Sequence, residues 1–107
     1  MDCIFCKIIA GAIPADFVAQ NDFAVAFKDI NPAAKVHILV VPRQHTENVS
    51  QLVDSNVLSG LFELIREVAA KTTNGSFRLQ FNTGESEGQS VFHTHAHVLS
   101  GSPIATA

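Results

Sequence analysis

Between Asp54 and Thr72 the apolar residues Val57, Leu58, Leu61, Leu64, Ile65, Val68 and Ala69 return at the three-to-four-residue spacing of one helix face. Asp54 or Ser55 offers a side-chain oxygen to the free N–H groups of the first turn, and Asn74-Gly75 marks the end. Phe62 lies beside the main stripe and widens it. This is the one long helix the pattern predicts. Its stripe needs a partner layer, so the short β-prone runs around it constrain the fold.

Those runs are Phe17 to Gln20 and Phe23 to Lys28, separated by Asn21-Asp22, and Lys35 to Val41, which is rich in β-branched residues and ends at Pro42. Ser76 to Asn82 alternates Phe77, Leu79 and Phe81 with polar residues and reads as a half-buried strand. A glycine-bearing loop, Thr83 to Ser90, leads to a last strand from Val91 to Leu99. Cys3 to Ala10 reads as one or two helical turns stopped near Gly11, with Pro14 beyond. The expected class is α+β, a mainly antiparallel sheet with one long helix and a short N-terminal helix, in a single domain spanning residues 1–107.

Apolar residues make up 47% of the chain and charged residues 16%, a balance that favours a folded globule over disorder. The net charge of −3 argues against duplex nucleic acid, which needs clustered Lys and Arg to displace counterions. A small anion stays open, because backbone N–H groups and imidazoles hold one phosphate without a basic surface. No apolar run reaches the roughly 18 residues of a membrane span. Asp2 and Lys7 interrupt the N-terminal apolar stretch, unlike a secretory signal, so a cytoplasmic location is expected. Cys3 and Cys6 are too close to frame a secreted disulfide domain, and their spacing suggests metal or redox chemistry.

His93-Thr94-His95-Ala96-His97 places three of the five histidines two residues apart. On an extended strand all three imidazoles share one face, at steps of about 6.6 Å, so the central ring lies between its neighbours and the row can face one phosphate. A single zinc bound by all three is disfavoured, because the outer pair would stand about 13 Å apart while Zn–N bonds are near 2.0 Å.

The segment Gln89 to Leu99 closely resembles the His-x-His-x-His signature of the histidine-triad family. Cys3 to Ile9, Ile13-Pro14, Phe27 to Pro32, His37 to His45 and Phe81 to Gly84 resemble its other segments, so the likeness runs up to Gly101. It is closest to the purine-nucleoside phosphoramidase branch. The resemblance implies that His95 attacks the α-phosphorus of a nucleoside phosphoramidate and forms a covalent nucleotidyl-imidazole that water hydrolyses. His97 would bond the phosphate and assist proton transfer, while His93 and His37 would fix ring orientation. Ser90 and the backbone N–H groups of Gln89 and Ser90 would meet the leaving group or a phosphate oxygen. Asn82 would lie near the sugar and phosphate, Asp29 would accept from ribose hydroxyls, and Phe27, Ile30, Phe5, Ile4 and Ile8 would wall the purine. Gly84 and Gly88 read equally well as turn residues.

Some bacterial members with the Cys-x-x-Cys pair use the positions of Cys3, Cys6, His45 and His93 for a structural zinc; the alternative is two reduced, buried cysteines and a surface His45. Glu87 stands where relatives usually carry a small residue, which would repel a phosphate if its carboxylate turned inward, and Ser100-Gly101 replaces a usual Gly-Gly. Two other activities compete: hydrolysis of dinucleoside polyphosphates by the same triad, and a zinc-stabilised nucleotide-binding or partner-binding role with little catalysis. The expected assembly is a twofold homodimer through the exposed side of the long helix and the strand near Ser76 to Asn82.

Overall fold

A computed structural model describes residues 3–101. Five strands form one antiparallel sheet in the order β1-β2-β3-β5-β4: β1 Phe17–Gln20, β2 Ala24–Lys28, β3 Val36–Pro42, β4 Arg78–Gln80 and β5 Ala96–Ser100. Two helices cover it, α1 Ile4–Ile9 and α2 Ser55–Thr72. The α+β architecture with a short N-terminal helix and one long helix is as expected. Among the described residues no helix is long and apolar enough to cross a membrane.

The helix α2 begins where the pattern placed it. Asp54 accepts from the N–H groups of Asn56 and Val57, satisfying two otherwise free donors, and Leu61, Leu64, Ile65 and Val68 are buried against the sheet. They pack on Ala24, Ala26, Ile38, Val40, Ala96 and Val98, the residues of β2, β3 and β5 that face α2. The alternate residues Val25, Phe27, Leu39 and Val41 form a second apolar layer with Cys3, Phe5 and Ile8 of the N-terminal segment. Covering both faces explains why β2 and β3 are buried along nearly their whole length.

Gly60 lies in the middle of α2, where a Cβ would meet the Phe23 side chain at 2.5 Å. The missing side chain lets the β1–β2 turn settle on the helix. Asn21 fastens that turn by accepting from the N–H groups of Phe23 and Ala24 and donating to the Gly60 carbonyl at 2.9 Å.

Two strands are shorter than their patterns. β5 starts at Ala96 instead of Val91, because Pro42, opposite position 94 in the β3–β5 register, has no N–H to extend the ladder. Thr94 instead donates its N–H to the Thr46 carbonyl at 2.8 Å. β4 has only three residues at the sheet edge, with Phe77 and Leu79 exposed rather than half-buried, and the Phe62 and Phe81 rings lie 6.4 Å apart beside it.

Candidate active site

The register of β3 against β5 sets Leu39 opposite His97 and places His37 two residues along on the same face. That face is the one α1 covers, so the histidines look toward the N-terminal segment. The Phe5 ring meets the His93 and His95 rings edge-on at 6.0 and 5.0 Å, and His95 lies 4.9 Å from His97. The triad shares a face as expected, although His93 and His95 precede the strand.

Each ring's proton can be assigned from its backbone partner, since a carbonyl only accepts and an amide N–H only donates. His95 Nδ1 lies 2.7 Å from the His93 carbonyl, so Nδ1 carries the proton and Nε2 keeps its lone pair. The Ala33 N–H donates to His37 Nδ1 at 3.0 Å, which puts the His37 proton on Nε2. That Nε2–H donates to His97 Nδ1 at 2.9 Å, leaving neutral His97 with its own proton on Nε2. Asp29 Oδ2 stands 3.4 Å from the same His37 nitrogen. Burial, ahead of the neighbouring histidines, pushes His97 down to about 4, and burial likewise lowers His95 and His93 below the usual imidazole value. The row is therefore neutral at pH 7.

A cavity of about 550 Å³ opens beside this row. His95 and His97 line it, together with Ile4, Phe5, Ile8, Phe27, Asp29, Ile30 and Ser90. Ile30 stands at 90% exposure, an apolar side chain left over for a ligand. Asp29 uses Oδ1 for the Asn31 N–H at 2.8 Å, and its carboxylate retains lone pairs for a hydroxyl donor.

Two of the residues expected at the substrate make contacts within the loop. Asn82 does not line the cavity: its Nδ2 donates to the Glu87 carbonyl at 2.8 Å and its Oδ1 accepts from Gln80 at 3.1 Å, so it braces the loop. The Gln89 N–H donates to the Gly84 carbonyl at 3.1 Å. The Gln89 side chain is also committed, accepting from the Gly84 N–H and donating to the Glu47 and Val91 carbonyls. Gly84 and Gly88 adopt φ of 90° and 91°, so the turn reading of both holds, and the exposed Glu87 is outside the cavity wall.

Behind His95, the donor atoms of Cys3, Cys6, His45 and His93 lie within 4.8 Å of one another. His93 Nδ1 is 3.4 Å from Cys3 Sγ, 3.5 Å from Cys6 Sγ and 3.0 Å from His45 Nδ1, while Cys6 Sγ is 3.3 Å from that His45 nitrogen. Ligands around a tetrahedral zinc are roughly 3.3–3.8 Å apart, given Zn–S near 2.3 Å and Zn–N near 2.0 Å. His93 donates Nε2–H to the Pro42 carbonyl at 2.8 Å, so its Nδ1 lone pair points into the cluster. The donor set fits a tetrahedral thiolate–imidazole centre. Burial and the adjacent Cys3 raise the Cys6 thiol, so a metal entering here displaces a proton. Asp29, His37 and His97 also come within 4.8 Å, but His37 Nε2 already bears its proton there.

The carbonyl of Pro42, the N–H of Ala33 and the Gln89 staple were not apparent from the sequence. Backbone partners distant in the chain leave no residue-type signal, and Gln89 stood out only through its place before Ser90.

A sheet that lines up imidazoles against a mostly apolar cavity, with a thiol–imidazole cluster behind them, defines a histidine-based site for a small ligand. Residues 2–105 match the family described as scavenger mRNA decapping enzyme C-term binding. An uncharacterised HIT-like protein of Synechocystis is 43% identical over 97% of this chain and 94% of its own. Protein HitA of Neisseria gonorrhoeae is 39% identical over 96% and 98%. A HIT family hydrolase from Clostridium thermocellum superposes with a TM-score of 0.91 at 36% identity, covering 99% of this chain and 96% of that one. The chain belongs to the histidine-triad (HIT) family.

Proposed function

We propose that this protein is a nucleotide hydrolase that cleaves nucleoside 5′-phosphoramidates through a nucleotidyl intermediate on His95. The observation that carries this reading is the 2.7 Å contact of His95 Nδ1 with the His93 carbonyl, which leaves Nε2 unprotonated on a ring lining the cavity. Description of a structural neighbour as a HIT family hydrolase supports the reaction class.

In the first step a P–Nε2 bond forms and the P–N bond to the amine breaks, its electron pair leaving with the nitrogen. The amine takes a proton from water at the exposed Ser90 hydroxyl. The positive charge gained by the His95 ring is shared through Nδ1–H with the His93 carbonyl. His97 Nε2–H, aligned by His37, donates to a non-bridging phosphate oxygen. Water then attacks phosphorus, the pair of the P–N bond returns to His95 Nε2, and the water's proton passes to solvent. Phe5, Phe27, Ile4, Ile8 and Ile30 enclose a purine, and Asp29 accepts from the ribose hydroxyls.

Cys3, Cys6, His45 and His93 would hold a zinc ion that supplies cross-linking and no reacting group. The apolar surface of Phe62, Phe77 and Leu79 beside edge strand β4 would join two copies as a homodimer, which sedimentation at micromolar concentration reads as a doubled mass. For the reaction, intact-mass spectrometry during turnover of adenosine 5′-phosphoramidate should show a transient adenylyl adduct. His95→Ala should abolish the adduct and lower kcat at least ~10³-fold while nucleotide affinity persists. An undiminished rate in that variant rejects the mechanism.

A further inference from the structure

A second hollow, of about 390 Å³, adjoins the cavity and shares Ile4, Ser90 and Val91 with it. His95 lines the first space and not the second. The outer wall of the second carries Glu47 and Phe92, the latter 45% exposed. Glu47 is anchored at both ends of its peptide unit: its N–H donates to Gln51 Oε1 at 2.8 Å, and its carbonyl accepts from Gln89, the residue before Ser90. The Glu47 backbone is thereby held at a set place relative to Ser90. Its carboxylate is exposed and has no hydrogen-bond or ion-pair partner among the described residues.

We propose that this second hollow receives the leaving group, and that Glu47 and Phe92 select amines bearing a further positive charge on an apolar or aromatic stem. The proposal rests on the phosphoramidate reading above. An in-line displacement sends the departing nitrogen away from the attacking one. The space continuous with the cavity but not lined by the nucleophile is therefore the exit side, with Ser90 at the junction. There, a cationic group meets one unpaired carboxylate and an aromatic face, two attractions of the same sign. The Cys3 and His45 side of the hollow would add no net charge with a divalent ion in place, since two thiolates balance it. A polyphosphate leaving group would bring several negative charges to Glu47, so the same residue discriminates against dinucleoside polyphosphates.

The test compares three adenosine 5′-phosphoramidates that share one alkyl stem and end in ammonium, methyl or carboxylate. In the wild-type protein kcat/KM should fall in that order. In Glu47→Gln the ammonium-to-carboxylate ratio should drop about 3- to 10-fold, and in Glu47→Lys it should invert, in line with an exposed charge near a bound one. Melting temperatures confirm that both variants are folded, as expected for a surface side chain. An unchanged ratio in both variants overturns the proposal even when all three compounds are hydrolysed. Should none be turned over, the hydrolase reading fails, and calorimetric affinities for the same compounds decide the subsite by whether their ratio responds to Glu47→Gln. Faster wild-type turnover of diadenosine tetraphosphate than of the ammonium compound also counts against it.

Discussion

The two histidine clusters beside His95 use similar residues at similar spacing and yet have opposite proton inventories. In Cys3, Cys6, His45 and His93 the distant nitrogen of His93 donates its N–H to the Pro42 carbonyl, so the near nitrogen offers a lone pair. In Asp29, His37 and His97 the distant nitrogen of His37 accepts from the Ala33 N–H, so the near nitrogen carries a proton. A carbonyl on the remote side leaves a lone pair on the near nitrogen, and an amide N–H there leaves a proton donor. Proximity of ligand-type side chains alone does not separate the two outcomes; the backbone behind the rings does.

The comparison breaks most visibly at the first cluster. Cys3→Ser with Cys6→Ser should abolish binding of one zinc per chain, read by elemental analysis, and lower the melting temperature by ten degrees or more, because binding to the folded state adds to folding free energy. Zinc retained by the double variant would erase the distinction between the clusters.

A smaller effect sharpens the second cluster. His97 sits at about 4 in the folded protein against the usual 6.5, lowered first by burial and then by His95 and His37, while Asp29 opposes. Below 6.5 the unfolded chain takes up this proton and the folded one does not, so the stability is intact above 6.5 and declines as the pH falls toward 4. Allowing for solvent screening of a partly exposed ring, the loss is on the order of 1–2 kcal/mol across that window. Urea midpoints measured through it should fall less steeply in His97→Gln than in wild type. Equal slopes would mean that His97 is not held neutral.

Much of this was legible from the sequence for physical reasons. The α2 stripe from Val57 to Ala69 is a local period, and the His93-His95-His97 alternation follows from strand geometry, so neither depends on knowing the tertiary fold. Resemblance to the HIT family then brought Cys3, Cys6, His45 and His93 together across the chain. The early end of the β3–β5 ladder was less accessible, although Pro42 already signalled a missing donor. Gly60 carried a signal too, since a glycine inside a helical pattern costs about 1 kcal/mol and invites a packing reason. The roles of Ala33, Pro42 and Glu47 depend on main-chain contacts between distant segments, and no side-chain pattern announces those.

Long-range ¹⁵N–¹H correlation spectra of the histidine rings, before and after one equivalent of zinc, read the imidazole protons directly. At pH 7 His95 should be the Nδ1–H tautomer, and His37, His97 and His93 the Nε2–H tautomers. Zinc should shift His93 and His45 Nδ1 while leaving the His37 and His97 nitrogens in place. A His37 proton on Nδ1, or zinc shifts centred on His37 and His97, would contradict the account.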